Sequence, residues 1–253
     1  MCRNFQGVPV VTDARVIEIQ GRFTSGAGDL DSQRLCDVCA DVSKMSGAGI
    51  MMMSGAIQRG SLCTTNKVSA LIEELQFSLS EGPCLDAFRD QRPVLEPDLA
   101  HPSDGRWVAF SEAALDAGVR AIFGFPISIG PVKLGALNLY SDQRGGMTTA
   151  QHRDCLILAD TVAHSVIMMQ AHATPGQLAQ EFEAGSDFEL GVHQASGMVA
   201  TQLTTDVAQA LIRMQAHAFG NNLSLRAVAR AVIGRTLRFD GPGEPVVVSS
   251  SEV

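Results

Sequence analysis

GVRAIFGFPISIGPVKLGALNLYS, residues 118–141, decides the fold class. Two apolar runs, 120–129 and 132–141, flank Gly130-Pro131. Both are rich in Ile, Phe, Leu and Val, and a glycine-bearing turn between such runs predicts a β-hairpin. The chain is thus built at least partly on an antiparallel sheet.

Working outward, residues 48–54 and 58–65 read as two more strands, with Met51, Met52 and Met53 alternating across the first. Residues 29–45 have helical periodicity, with Leu35, Val38, Cys39 and Val42 on one face. Asn66 can cap a helix running to about Phe77. Glu81-Gly82-Pro83-Cys84 interrupts the pattern and opens a short helical turn over 85–89. Residues 93–97 read as extended, and 104–117 as a helix closed by Gly118. A long helix starts at Thr148 or Thr149 and runs to about His172, where Pro175 prevents continuation. Its stripe of Leu156, Ala159, Ala163, Val166 and Ile167 is too apolar for a solvated face. Residues 14–23 read as a strand. This order predicts an α+β domain over 28–172. Residues 173–186 read as a linker and 187–240 as all-helical, with helices over 188–202, 205–219 and 224–239. Residues 241–253 read as a disordered tail.

Charge is distributed unevenly. The chain of 253 residues has a formal charge of -8. Between Gly191 and Phe239, however, there are five arginines and a single acid, Asp206. Arg226, Arg230 and Arg238 fall on or near one helical face by spacing, flanked by Arg213 and Arg235. A solvated helix face is the ordinary reading of such a pattern; contact with a polyanion is the functional one. The acidic remainder argues against a nucleic acid or an anionic membrane meeting the whole surface. No signal peptide or membrane-length apolar run is visible, so a cytoplasmic location is expected and most of the six cysteines are expected to be free thiols.

Catalytic and metal patterns do not assemble. Cys36-x-x-Cys39 lacks a second pair or nearby histidines, and Cys39 lies on an apolar stripe, which favours a core role. Cys84 follows Gly82-Pro83 near a helix start, where a thiol pKa can fall, although a structural role is commoner. Glu73-Glu74 reads as a solvated helix face rather than an acid–base pair. The six histidines show no catalytic or zinc-binding spacing, and the glycines form no phosphate-binding loop. No enzyme, metal or resident cofactor is expected. Gly197 costs about 1 kcal/mol against alanine inside a helix, and close helix packing is the expected reason for it.

Two stretches resemble known families. Ser46-Gly47-Ala48-Gly49-Ile50, Glu73, Leu75-Gln76-Phe77 and Glu81-Gly82-Pro83-Cys84-Leu85-Asp86-Ala87-Phe88 resemble a bacterial GAF domain. So do Pro93-Val94-Leu95-Glu96-Pro97-Asp98-Leu99 and the hairpin. Gln194-Ala195, Gly197-Met198, Ala210-Leu211, Arg213, Leu225, Val228-Ala229 and Val232 resemble an ANTAR domain, a three-helix RNA-binding module. In this order, over about 28–240, they resemble the GAF-and-ANTAR transcription antiterminators. The resemblance implies a GAF-like antiparallel-sheet sensor followed by an all-α three-helix bundle. Such proteins bind paired stem-loops in nascent RNA and prevent a terminator hairpin from forming. The implied RNA contacts are His193, Gln194, Arg213, Arg226, Arg230 and Arg235. The sensor would respond to a small molecule of unidentified class, a redox state or a partner protein. The long helix would relay the change, in a homodimer. Three positions depart from the family pattern: Ser196 stands where Lys or Thr is common, Gln215 where Arg is, and His217 where Tyr is. Two other readings stay open: a thiol redox or metal sensor using Cys36, Cys39, Cys63 and Cys84, and a protein-interaction module that has lost RNA binding.

Overall fold

The expected hairpin forms as β4 (Ala121–Ile129) and β5 (Val132–Ser141), with Ala121 opposite Ser141 and Ile129 opposite Val132. Gly130 turns it with φ of 55°, a left-handed conformation that glycine adopts without a Cβ clash. The computed structural model describes residues 14–24, 31–54, 57–102, 105–172, 187–221, 223–240 and 245–247. Strand β1 (Gly47–Ser54) pairs with the outer side of β5, β2 (Ile57–Thr64) with β1, and β3 (Val94–Glu96) with β4. The result is one antiparallel sheet in the order β2-β1-β5-β4-β3.

Strand alternation then separates two cores. Ile50, Met52, Phe123, Phe125, Leu137 and Leu139 face one side. There they meet α1 (Ala14–Thr24), α2 (Ser32–Ser43) and α6 (Thr149–His172). Met51, Met53, Ala136, Ile122 and Tyr140 face the other side. That side is covered by α3 (Lys67–Leu79), α4 (Pro83–Asp90) and α5 (Val108–Asp116). Asn66 caps α3 as expected, accepting from Ser69 N while the Ser69 hydroxyl accepts from Asn66 N. Glu81 caps α5, its Oε1 accepting from Phe110 N at 2.8 Å.

The structure corrects four readings of this part. Residues 14–23 are helical, because Ile19 and Phe23 recur one turn apart and both bury against the sheet's helical layer. The stripe of α6 is narrower than expected. Ala159, Ala163 and Val166 bury against the sheet, as do Leu158 and Val162, whereas Leu156 and Ile167 lie exposed. Cysteine usage also differs: Cys36 of α2 and Cys63 of β2 are joined by a disulfide, while Cys39, Cys84 and Cys155 are free and buried. The bond joins two elements packed in the same core, 27 residues apart, a spacing with no local sequence signature. Glu73-Glu74 is not a solvated pair, since Glu73 is buried.

Beyond the expected linker, 173–186, which lies outside the described residues, come α7 (Asp187–Leu203), α8 (Val207–Gly220) and α9 (Leu225–Ile233). Asp206 caps α8 and Ser224 caps α9 through side-chain oxygens. The three helices pack around Val192, Val199, Met214, Leu225, Val228 and Val232. The third helix is shorter than expected. Gly234 ends it, Arg235 turns left-handed at φ 59°, and Leu237–Arg238 forms β6 against β7 (Val246–Val247). Part of the expected tail is thus paired strand, and Arg238 leaves the helical face to bind Asp240 at 2.7 Å. Among the described residues no helix is long and apolar enough to cross a membrane.

Candidate functional site

Between the sheet and α3/α4 lies a polar cluster built from the middle of the sheet upward. Asn138 of β5 stands opposite Gly49 of β1 on one side and Gly124 of β4 on the other. The two glycines let helices come close. A Cβ at Gly49 would lie 2.4 Å from Glu73 Oε1, and one at Gly124 would lie 2.5 Å from the Pro83 carbonyl. Glu73 and the N-terminus of α4 therefore rest almost on the backbone of the sheet. Asn138 Nδ2 donates to Glu73 Oε1 at 3.2 Å, and Cys84 N donates to Gln76 Oε1 at 2.8 Å. Glu73, Gln76, Cys84 and Asn138 are all buried. Asn138 Oδ1 accepts no hydrogen bond from the described residues. Such an acceptor is costly to bury unless something donates to it.

Glu81-Gly82-Pro83-Cys84 is explained by the same geometry. Gly82 has φ of 138° and sits against Gln76, Pro83 starts α4, and Cys84 N reaches Gln76. The Cys84 thiol does not become reactive. Burial drives its pKa well above the ordinary value, the Glu73 carboxylate adds to the rise, and the hydrogen bond with Gln76 only opposes it. Burial likewise raises Cys39 far above its ordinary value. Among the described residues no group of His, Cys, Asp and Glu could hold a metal ion.

The implied RNA contacts are spread over three elements. His193 and Gln194 lie on α7, Arg213 on α8, Arg226 and Arg230 one turn apart on α9, and Arg235 just beyond it. Gln194, Arg213, Arg230 and Arg235 are exposed. Arg226 is half-buried, its guanidinium approaching Glu74 of α3 at 3.6 Å. His193 is also half-buried, its ring edge-on to Phe77 of α3 at 6.1 Å.

The departing positions turn inward as well. Ser196 is 0% exposed, with its hydroxyl donating to the His193 carbonyl. Gln215 donates to the Phe77 carbonyl at 2.8 Å and accepts from the Ser80 hydroxyl at 3.2 Å. His217 packs edge-on to Phe239. Gly197 does not fit the close-packing expectation, since a Cβ there would meet nothing within 4 Å.

Helix α3 is therefore shared. One side carries Ile72, Glu73 and Gln76 toward the sheet, and the other carries Glu74, Phe77 and the Ser80 cap toward the bundle. Phe77 is itself part of the bundle's buried core. Sequence reading missed Asn138, because an isolated polar residue within an apolar strand carries no motif of its own, and it had Gln76 only as part of the GAF resemblance, without a role. The Gly49 and Gly124 pair was the available signal, since glycine inside a strand marks a close approach.

An antiparallel five-stranded sheet with helices on both faces and a buried polar cluster under one of them defines a small α+β domain. The GAF domain family model matches residues 32–166, just over half of the chain, and the chain belongs to that family of signal-sensing domains. Several solved structures are similar to it. The GAF domain of an Acinetobacter phosphoenolpyruvate-protein phosphotransferase shares 14% identity, covering 62% of this chain and 93% of that one, with a TM-score of 0.47. The type II free methionine-R-sulfoxide reductase from Thermoplasma acidophilum shares 16%, covering 54% and 89%, with a TM-score of 0.44. The chromophore-binding domain of a bacteriophytochrome from R. palustris shares 10%, covering 63% and 62%, with a TM-score of 0.42. No curated protein matches the chain.

Proposed function

We propose that this chain is a signal-responsive regulator, not an enzyme, in which the GAF domain senses a small polar molecule and controls an ANTAR-like RNA-binding bundle acting in transcription antitermination. The observation that carries the reading is the double duty of α3. Its inner face holds Glu73 and Gln76 in the buried polar cluster, and its outer face holds Arg226, Gln215 and His193 of the bundle. A ligand donating to Asn138 Oδ1 and displacing Glu73 would act on the helix that grips the bundle. It would shift the bundle only through a difference in affinity between two α3 positions.

RNA recognition is supported by the division of labour within the ANTAR-like motif. Its apolar members Ala195, Ala210, Leu225, Val228, Ala229 and Val232 fill the bundle core, while Gln194 and Arg213 face solvent. Two copies in a homodimer would present two such faces to a paired stem-loop target.

The test is a mobility-shift titration of the full chain against stem-loop RNA over a series of salt concentrations. Affinity should fall steeply with salt, and replacing Arg213, Arg230 and Arg235 by Ala should flatten the slope by roughly 0.7–0.9 for each phosphate no longer neutralised. Equal binding by parent and triple variant at every salt concentration rejects the assignment of these arginines.

A second reading, thiol sensing, is favoured by the Cys36–Cys63 disulfide. The buried thiols of Cys39 and Cys84, with raised pKa, are poor nucleophiles, so this reading rests on the disulfide alone. Thiol titration of the native protein before and after mild reduction, with metal analysis, decides it: an unchanged thiol count and no bound metal remove it.

A further inference from the structure

A cleft of about 550 Å3 separates α3 and α5 of the GAF domain from α8 and the start of α9. Its apolar lining comes from both modules: Leu75 and Leu79 of α3, Ala113 of α5, Phe219 of α8 and Leu223 beyond it. Phe219 is 70% exposed and Leu223 is 47% exposed, so a large aromatic face and an aliphatic side chain stand open to solvent at one wall. Beside the neutral Ser78, Gln215 and Ser224, the charged lining is acidic. Glu74 of α3 and Glu112 and Asp116 of α5 contribute three carboxylates, and among the described residues no lysine or arginine lines the cleft. Arg226 approaches Glu74 at 3.6 Å; Glu112 and Asp116 lie exposed, one turn apart on α5.

Exposed phenyl face, aliphatic floor and carboxylate rim are together the chemistry that recognises an organic cation with an apolar body. The ring attracts the cation through its quadrupole, the carboxylates through charge, and the floor removes the apolar portion from water. A neutral molecule would lose the first two attractions, and an anion would be repelled.

We propose that this cleft is a second ligand site, distinct from the buried cluster beneath the sheet, and that it takes an amphipathic organic ammonium. Because its walls belong to both modules, the ammonium binds only the docked arrangement and holds the bundle on the GAF domain. Its effect on that arrangement follows the free ligand concentration relative to Kd. The proposal does not rest on the bundle's binding RNA.

The experiment uses the full chain without RNA and three probes of one shape: 2-phenylethylamine, 2-phenylethanol and phenylacetate, titrated to millimolar concentration by calorimetry or ligand-observed NMR. The amine should bind roughly tenfold more tightly than the alcohol, the sum of a cation–ring contact and exposed charge pairs, and phenylacetate should bind most weakly. Glu112→Gln with Asp116→Asn, both exposed positions whose loss leaves the fold intact, should reduce the preference for the amine several-fold. Phe219→Ala should weaken the amine and the alcohol together. No binding of the amine to the parent, equal affinity for amine and alcohol, or indifference of amine binding to both variants overturns the site. Failure of the RNA titration leaves these results unaffected, so the two ideas fall separately.

Discussion

Glu73 and Glu74 are consecutive, and α3 sends them to opposite sides: Glu73 to Asn138 under the sheet, Glu74 to Arg226 on the bundle. A step of about 100° per helical residue suffices for that, yet sequence alone reads two adjacent acids as one solvated face. The buried thiols make a sharper case. Burial raises the pKa of Cys84 and Cys39 well above the ordinary value, and burial followed by the Asp154 charge pushes Cys155 up to about 12. In the unfolded chain these thiols ionise near 9.0. The folded state therefore keeps protons that the unfolded state releases. The stability they contribute is complete below pH 9 and is lost as pH rises toward the folded values. Each thiol should cost about 1.4 kcal/mol per pH unit across that window. Urea midpoints measured from pH 8 to 11 should be flat at first and then fall, and the triple Cys→Ser variant should fall less steeply. A parent curve as flat as that of the variant would show that these thiols are not held neutral. Cys39 was legible as a core residue from its place on an apolar stripe. The partner of Cys36 was not, because only the assembled sheet brings β2 beside α2.

At the scale of elements, local signals carried much of the fold. The hairpin register followed from Gly130 and its flanking runs, α3 from Asn66, and the start of α6 from Thr148, whose hydroxyl accepts from Gln151 N. Signals failed where tertiary contact decided. Residues 14–23 read as a strand from sequence, and their helix depends on burying Ile19 and Phe23 against partners distant in sequence. Gly197 poses the opposite question, since α7 leaves the space around it open. Gly197→Ala should therefore stabilise the protein by about 0.5–1 kcal/mol, from helix propensity alone. A lower urea midpoint in this variant would mean that something does pack there. If stability rises while RNA affinity falls, the open face of α7 is a contact surface and the glycine serves close approach to RNA. If both rise or stay level, the glycine has no binding role.

The whole molecule joins an acidic domain to a module whose exposed arginines include Arg213 within α8, Arg230 on α9 and Arg235 just beyond it. The charge contrast was legible at once; the direction in which the module turns was not. One of its arginines is turned inward, Arg226 on Glu74, and the uncharged Gln215 binds the α3 C-terminus. The expected relay helix α6 packs on the sheet, whereas α3 meets both the polar cluster and the bundle, so the proposed control runs through α3. The Arg226–Glu74 pair is half-exposed, its side chains 41% and 28% accessible, so it contributes roughly 0–1 kcal/mol. On the proposed function, an ion pair of that size is one that RNA phosphates would displace. If Glu74 and RNA compete for Arg226, Glu74→Gln should raise RNA affinity by up to about fivefold, the factor that such a pair can supply. Glu74→Arg should raise it further while expanding the particle in small-angle scattering. Coupling is reciprocal, so saturating RNA must weaken docking by the same factor, and the parent should expand on binding RNA as Glu74→Arg does without it. Unchanged affinity and unchanged scattering in both Glu74 variants would mean that the pair holds the modules together without gating them, and control would then have to pass through Phe77 and Gln215.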